Sequence, residues 1–160
     1  MTDLKTLYEE DTAAWSEHQA AALRAAARDS SNQPLDWENL AEEIESLGRS
    51  LKFALRSQIS RIIQHQVKLQ YSPATDARSG WRRTIRQARD EIRQILIDSP
   101  SLKREVGRLI GEETRSAVEL AARDLEEHDE LDSLQLPSLR KASFTDEEVL
   151  GDWFPEEPPR

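Results

Sequence analysis

Cysteine is absent from this 160-residue chain. Disulfides, thiolate nucleophiles and Cys-ligated zinc or iron–sulfur centres are therefore excluded. Glycine occurs only five times, and the chain has no Gly-rich phosphate loop, no Gly-x-Ser-x-Gly elbow and no His-Glu-x-x-His helix. No apolar run approaches the roughly 20 residues that cross a bilayer. Met1-Thr2-Asp3-Leu4 lacks the basic and apolar regions of a secretory signal. The expected compartment is the cytoplasm, with no membrane partner. Hydrophobicity alternates with period two over no long stretch, which argues against strands.

What the chain has in abundance is Ala, Leu, Glu and Arg, all helix formers. The expected fold is all-α: one domain over 1–160, a mostly antiparallel bundle of four main helices with a short C-terminal helix and strap. The periodicity predicts helices at about 3–28, 36–70, 79–98 and 100–127, with the strap at 132–160. In the first, Leu4, Tyr8, Asp11, Trp15, His18 and Ala22 form the expected core seam. The second begins at Asp36 as N-cap. Its seam Trp37, Leu40, Ile44, Leu47 and Leu51 is spaced 3-4-3-4, then continues through Leu55, Ile59 and Ile62. Unbroken, that helix is about 50 Å long, and Gly48 is the expected bend. Gly107 and Gly111, one turn apart, mark either a close helix approach or a locally weak helix. Thr145-Asp146-Glu147-Glu148 reads as a capping box closed by Gly151. Leu150, Trp153 and Phe154 are the expected anchors of the strap.

Charge is segregated along the chain. Residues 1–45 carry 11 acids and 3 bases, residues 46–111 carry 5 and 14, and residues 112–160 carry 15 and 5. A basic middle thus lies between acidic flanks, and the whole chain is at −9. Arg82, Arg86, Arg89 and Arg93, spaced 4-3-4, share one helix face and form a candidate anion-binding stripe. The alternative is internal pairing with the acidic segments. Overall acidity opposes steering toward nucleic acid.

Asp11, Glu42, Glu43, Glu45, His65, Lys68 and Arg89 are the candidate polar site. Carboxylates and imidazole serve acid–base chemistry or metals. The Glu-x-x-His pairs of di-metal bundles are missing, however, and neither a metal nor a cofactor is expected. Asp11 and His18 flank Trp15 on an apolar seam, where a buried polar group needs a partner. Each of these groups also has a plain structural reading as a cap, an ion pair or a satisfied core residue.

The block Asp36-Trp37-Glu38-Asn39-Leu40-Ala41-Glu42-Glu43-Ile44-Glu45-Ser46-Leu47-Gly48 resembles the signature of the bacterial family called domain of unknown function 29. Asp11 with Ala14-Trp15, His65 with Lys68 and Tyr71, Trp81 with Thr84-Ile85, Arg89 and Ile92, Pro100-Ser101-Leu102, and Leu150 with Trp153-Phe154-Pro155 extend the likeness over nearly the whole chain. The resemblance implies an all-helical fold and carries no reaction, ligand or catalytic residue. The expected function is a non-enzymatic interaction module with a protein partner, a second copy of the chain included. One alternative is a nucleic-acid-binding protein or small ribonuclease using the basic middle, although Arg61 and His65 stand closer than helical toxin nucleases place their Arg and His. Another is a small-ligand or metal site in the bundle.

Overall fold

Asp11 ends one helix and starts the next. Its extended backbone interrupts the helical path, and its carboxylate accepts the Ala14 N–H at 2.8 Å. The expected first helix is therefore two, α1 (Leu4–Glu10) and α2 (Thr12–Arg28). In the computed structural model, which describes residues 3–29 and 32–158, these are followed by α3 (Trp37–Tyr71) and α4 (Arg78–Asp98). A 3₁₀ segment, Pro100–Glu105, then leads into α5 (Val106–Glu127), α6 (Leu136–Arg140) and α7 (Asp146–Leu150). No strand occurs among the described residues. The fourth expected helix thus starts α-helical only at Val106, after a 3₁₀ turn.

The chain forms two compact units. The first comprises Met1–Leu55 with Gln94–Arg104, the second Arg56–Arg93 with Glu105–Arg160.

In unit one, α2 and α3 run antiparallel. Arg24 meets Glu38, Glu42 and Glu45, whereas Glu17, further back on α2, meets Lys52, further on along α3. The buried stripe of α2 is Ala13, Ser16 and Ala20. It displaces the expected seam: His18 and Ala22 are exposed, and Leu4 and Tyr8 on α1 are exposed too. Small residues occupy this stripe because α3 comes very near. A Cβ added at Gly48 would stand 2.7 Å from the Ser16 Oγ. Helix α3 continues through Gly48 without interruption, so what this glycine supplies is close approach to α2. Tyr8 and Trp15 pack edge to face, with centroids 4.9 Å apart, and hold α1 on α2.

Unit two is built on the rest of α3. Gln58 donates to Glu91, and Arg78 donates to the Leu69 and Ser72 carbonyls, so α4 runs antiparallel to α3. Arg56 pairs with Glu113 and Lys68 with Asp124, so α5 runs parallel to α3. Ile59, Ile62, Ile63 and Val67 of α3 are buried, together with Ile85, Ala88 and Ile92 of α4 and Leu109, Ile110, Ala117, Val118, Ala121 and Leu125 of α5. Gly111 has nothing near its absent side chain, so its helix needs no closeness there, and the close-approach reading fails at that position.

The strap follows its expected chemistry. Thr145 and Glu148 form the reciprocal capping box, and the Gly151 N–H donates to the Glu147 carbonyl at 2.8 Å. A Cβ at Gly151 would lie 2.6 Å from that same oxygen.

Candidate functional site

The polar residues singled out by the sequence fall in both units. Asp11, Glu42, Glu43 and Glu45 belong to unit one; His65, Lys68 and the arginine stripe belong to unit two.

Asp11 is a junction. Besides capping α2, it accepts the Ser101 N–H at 2.6 Å and the Ser101 hydroxyl at 2.9 Å. Beside it the Ala13 N–H donates to the Ser99 Oγ at 3.1 Å. The carboxylate ties the start of α2 to the 3₁₀ segment after α4, and its hydrogen-bonding capacity goes to the fold.

Glu42 and Glu45 hold Arg24 and Arg49. Arg24 donates to Glu45 at 2.8 Å and Arg49 to Glu42 at 2.5 Å. The Arg24 guanidinium keeps the Glu45 carboxyl below its ordinary range. Glu43 is exposed, and only its backbone carbonyl is engaged, by the Ser46 hydroxyl. No paired carboxylate is poised here for proton transfer.

In unit two, His65 and Lys68 do share a neighbourhood. Lys68 ion-pairs with Asp124 of α5, and His128 lies one turn beyond Asp124, its Nδ1 3.7 Å from that carboxylate. His65 keeps Nδ1 on the Arg61 carbonyl at 2.7 Å. Burial makes its imidazolium unfavourable and lowers its pKa, while Lys68 holds the Asp124 carboxyl below the usual range. Among the described residues, no group of three or more His, Asp or Glu side chains is placed to hold a metal ion.

The arginine stripe mostly anchors the strap. Arg89, 2% exposed, donates Nε–H to the Val149 carbonyl at 2.9 Å and Nη2–H to those of Glu148 (2.9 Å) and Trp153 (2.7 Å). Gln66 of α3 adds a bond to the Glu148 carbonyl at 2.5 Å. Arg82 and Arg78 both reach Glu157, at 2.8 and 3.4 Å, and Arg82 holds that carboxyl below its ordinary range. Arg93 pairs with Asp90 on its own helix. Arg86 and Arg89 stack on Phe154, 5.3 and 5.1 Å from the ring centroid. Phe154 was foreseen as an anchor; that its ring would be held by arginines was not, because the partners lie more than 60 residues apart in the chain.

With this geometry in place, comparison with known proteins decides the family. The family model described as "Domain of unknown function DUF29" matches residues 7–154. The chain belongs to the DUF29 family. A crystal structure of an α-helical protein of unknown function from Rhodospirillum rubrum ATCC 11170 is similar to this DUF29 chain, with 26% sequence identity and a TM-score of 0.71. The match covers 90% of this chain and 89% of that one. Comparison with the curated proteins gives no match. The all-helical expectation thus agrees with that α-helical structure, and neither the family description nor the structure brings a reaction with it. Among the described residues, no helix is long and apolar enough to cross a membrane.

Proposed function

We propose that this DUF29 protein is a non-enzymatic interaction module that pairs with a second copy of itself through α3 in unit one. The observation that carries the reading is a change in exposure along one seam. Leu55, Ile59 and Ile62 are all 0% exposed, whereas Leu40 and Leu47, at the strictly heptad end, are 40% and 46% exposed. Trp37, Ile44 and Leu51 between them are only half-buried.

Helical register accounts for the opening. The charged flanks of α2 and α3 meet on one side of the pair, through Arg24, Glu45, Glu17 and Lys52. The opposite flanks carry Leu23 and Ala26 on α2 and Leu40, Ile44 and Leu47 on α3. An apolar face that two helices cannot bury alone is normally buried against more helix. Leu23 and Ala26 on α2 beside Leu40, Ile44 and Leu47 on α3 give an apolar face that a second copy can meet about a two-fold axis. A 3-4 spacing is what a partner helix meets with knobs in holes.

The nucleic-acid reading loses support from the same charges. Arg49, Lys52, Arg56, Lys68, Arg78, Arg82 and Arg108 of the basic middle are each within ion-pair reach of acids from this chain. Phosphates would have to displace these carboxylates.

Sedimentation velocity on the full chain tests the proposal. The expectation is a monomer–dimer equilibrium between roughly 1 and 100 µM, since half-exposed leucines contribute less than the ~1.5–3 kcal/mol of a fully transferred one. Leu40→Glu with Leu47→Glu should give a monomer of unchanged helicity. A wild-type chain monomeric at the top of that range, and indistinguishable from the double variant, would overturn it.

A further inference from the structure

Between α4 and the strap of unit two lies an open cleft of about 400 Å³, lined by Arg86, Arg89, Asp90, Arg93, Asp152 and Phe154. Strap anchoring does not use up its cationic groups. The three hydrogen bonds of Arg89 come from Nε and Nη2, which leaves the hydrogens of Nη1 without an acceptor among the described residues. Nη1 is not among the buried polar atoms that lack a partner, so it reaches solvent, and the surface that Arg89 exposes lines this cleft. Arg86 touches Phe154 and makes no ion pair among the described residues. Arg93 gives one nitrogen to Asp90 and has others to spare.

We propose that this cleft is a binding site for a small oxyanion, the carboxylate or phosphate group of a metabolite. Arg86 and Arg93 approach it from positions two turns apart on α4, and Arg89 Nη1 forms its floor. The floor is pre-organised. Three main-chain carbonyls and the Phe154 ring hold the Arg89 guanidinium in place, so binding orders no flexible side chain there. Guanidinium groups also suit the paired oxygens of carboxylates and phosphates. Asp152 also lines the cleft, with no ion pair among the described residues, and is close enough to act electrostatically on Arg89. It opposes an incoming anion, which keeps the site weak and selects ligands that place a donor or a cation toward it.

The cleft belongs to unit two, whereas the proposed dimerisation concerns unit one. The test is an arginine-resolved ¹H–¹⁵N NMR titration of the full chain with inorganic phosphate, and separately with acetate, at constant ionic strength balanced by chloride. Saturable shifts at Arg86, Arg89 and Arg93 and in the Phe154 ring, with Arg83 and Arg104 silent, are expected for at least one of the two anions. The anion that binds the tighter names the headgroup. Arg86→Gln should weaken binding at least about tenfold, the loss of one charge-assisted contact. Asp152→Asn should tighten it roughly threefold or more by removing a like charge, an effect that a purely structural role for the strap does not produce. Shifts that stay linear and appear equally at Arg83 would mean an adventitious ion only and would overturn the proposal. So would the absence of shifts with both anions in the Asp152→Asn chain.

Discussion

Replacing Gly48 with Ala tests the packing from which the open face of unit one follows. In an exposed helix interior this change is favourable by about 1 kcal/mol, because Gly carries the larger backbone entropy. At Gly48 the new methyl would stand 2.7 Å from the Ser16 Oγ, against 3.4 Å or more for an ordinary contact. Ser16 is fully buried, and its hydroxyl donates to the Ala13 carbonyl at 2.8 Å. Either α2 moves out by some tenths of an ångström, or the hydroxyl rotates away and leaves its acceptor. Overpacking of this kind costs about 1–3 kcal/mol, and the lost hydrogen bond about 1. The clash outweighs the propensity gain, and Gly48→Ala should destabilise the protein by about 1 kcal/mol. Adding Ser16→Ala removes the obstructing atom. The double variant should recover that loss, with a coupling energy of roughly 1–2 kcal/mol in a double-mutant cycle. Urea unfolding followed by both Trp fluorescence and circular dichroism measures it, provided the two probes coincide. A Gly48→Ala chain more stable than wild type by about 1 kcal/mol, with the two substitutions additive, would refute the close-packing argument.

Arg89→Met should cost roughly 2 kcal/mol or more, since it strands the Val149 and Trp153 carbonyls and leaves that of Glu148 with Gln66 alone; hydrogen exchange across 145–158 should accelerate selectively, and Arg89→Lys should rescue little, having no planar fork. Stability should also fall on mild acidification through His65. Its folded pKa lies below the ordinary 6.5 because burial disfavours the imidazolium. The unfolded chain therefore takes up the proton first as pH drops below 6.5, and the stability held above that value declines until the folded pKa is reached. His65→Gln should flatten the profile just below pH 6.5. His128, raised by its hydrogen bond to the Asp124 carbonyl, acts with the opposite sign, so a profile steepened by His65→Gln would contradict the assignment.

How legible the fold was in the sequence depended on side-chain size. Helices α3 and α4 stood out because their seams are large: Leu55, Ile59 and Ile62 on one, Ile85 and Ile92 on the other. The buried stripe of α2 is Ala13, Ser16 and Ala20, which a hydrophobic periodicity does not register, so the bulkier Trp15 and Leu4 drew the seam to the wrong face. Asp11 misled for a related reason. At a seam spacing it looks like a buried polar residue inside a helix, when in fact it breaks the helix and caps the next one. The candidate site was legible only as a list. Arg86 and Arg93 do line a cleft, but Phe154 and Asp152 complete it from the strap, and no local spacing announces that pairing. The anchoring of Arg89 was hidden because its partners are main-chain carbonyls, which every residue has.

The block from Asp36 to Gly48 shows how a stretch that looks like a site can be consumed by folding and still leave a remainder. The Asp36 carboxylate accepts the Asn39 N–H at 3.3 Å at the helix start. Ala41 and Gly48 are buried, and Gly48 gives α2 the room to come close. Glu38, Glu42 and Glu45 hold Arg24 from the other flank. Each of these has a partner inside unit one, and so none is free for chemistry. Leu40 and Leu47 are different. Their spacing is that of a core, yet the close α2–α3 contact through small residues leaves them at the edge, half in water. Each leaves close to half of its surface in water, and exposed leucine carries a solubility cost. The proposed second copy would cover them, which is why the dimer test bears on these two residues rather than on the carboxylates beside them.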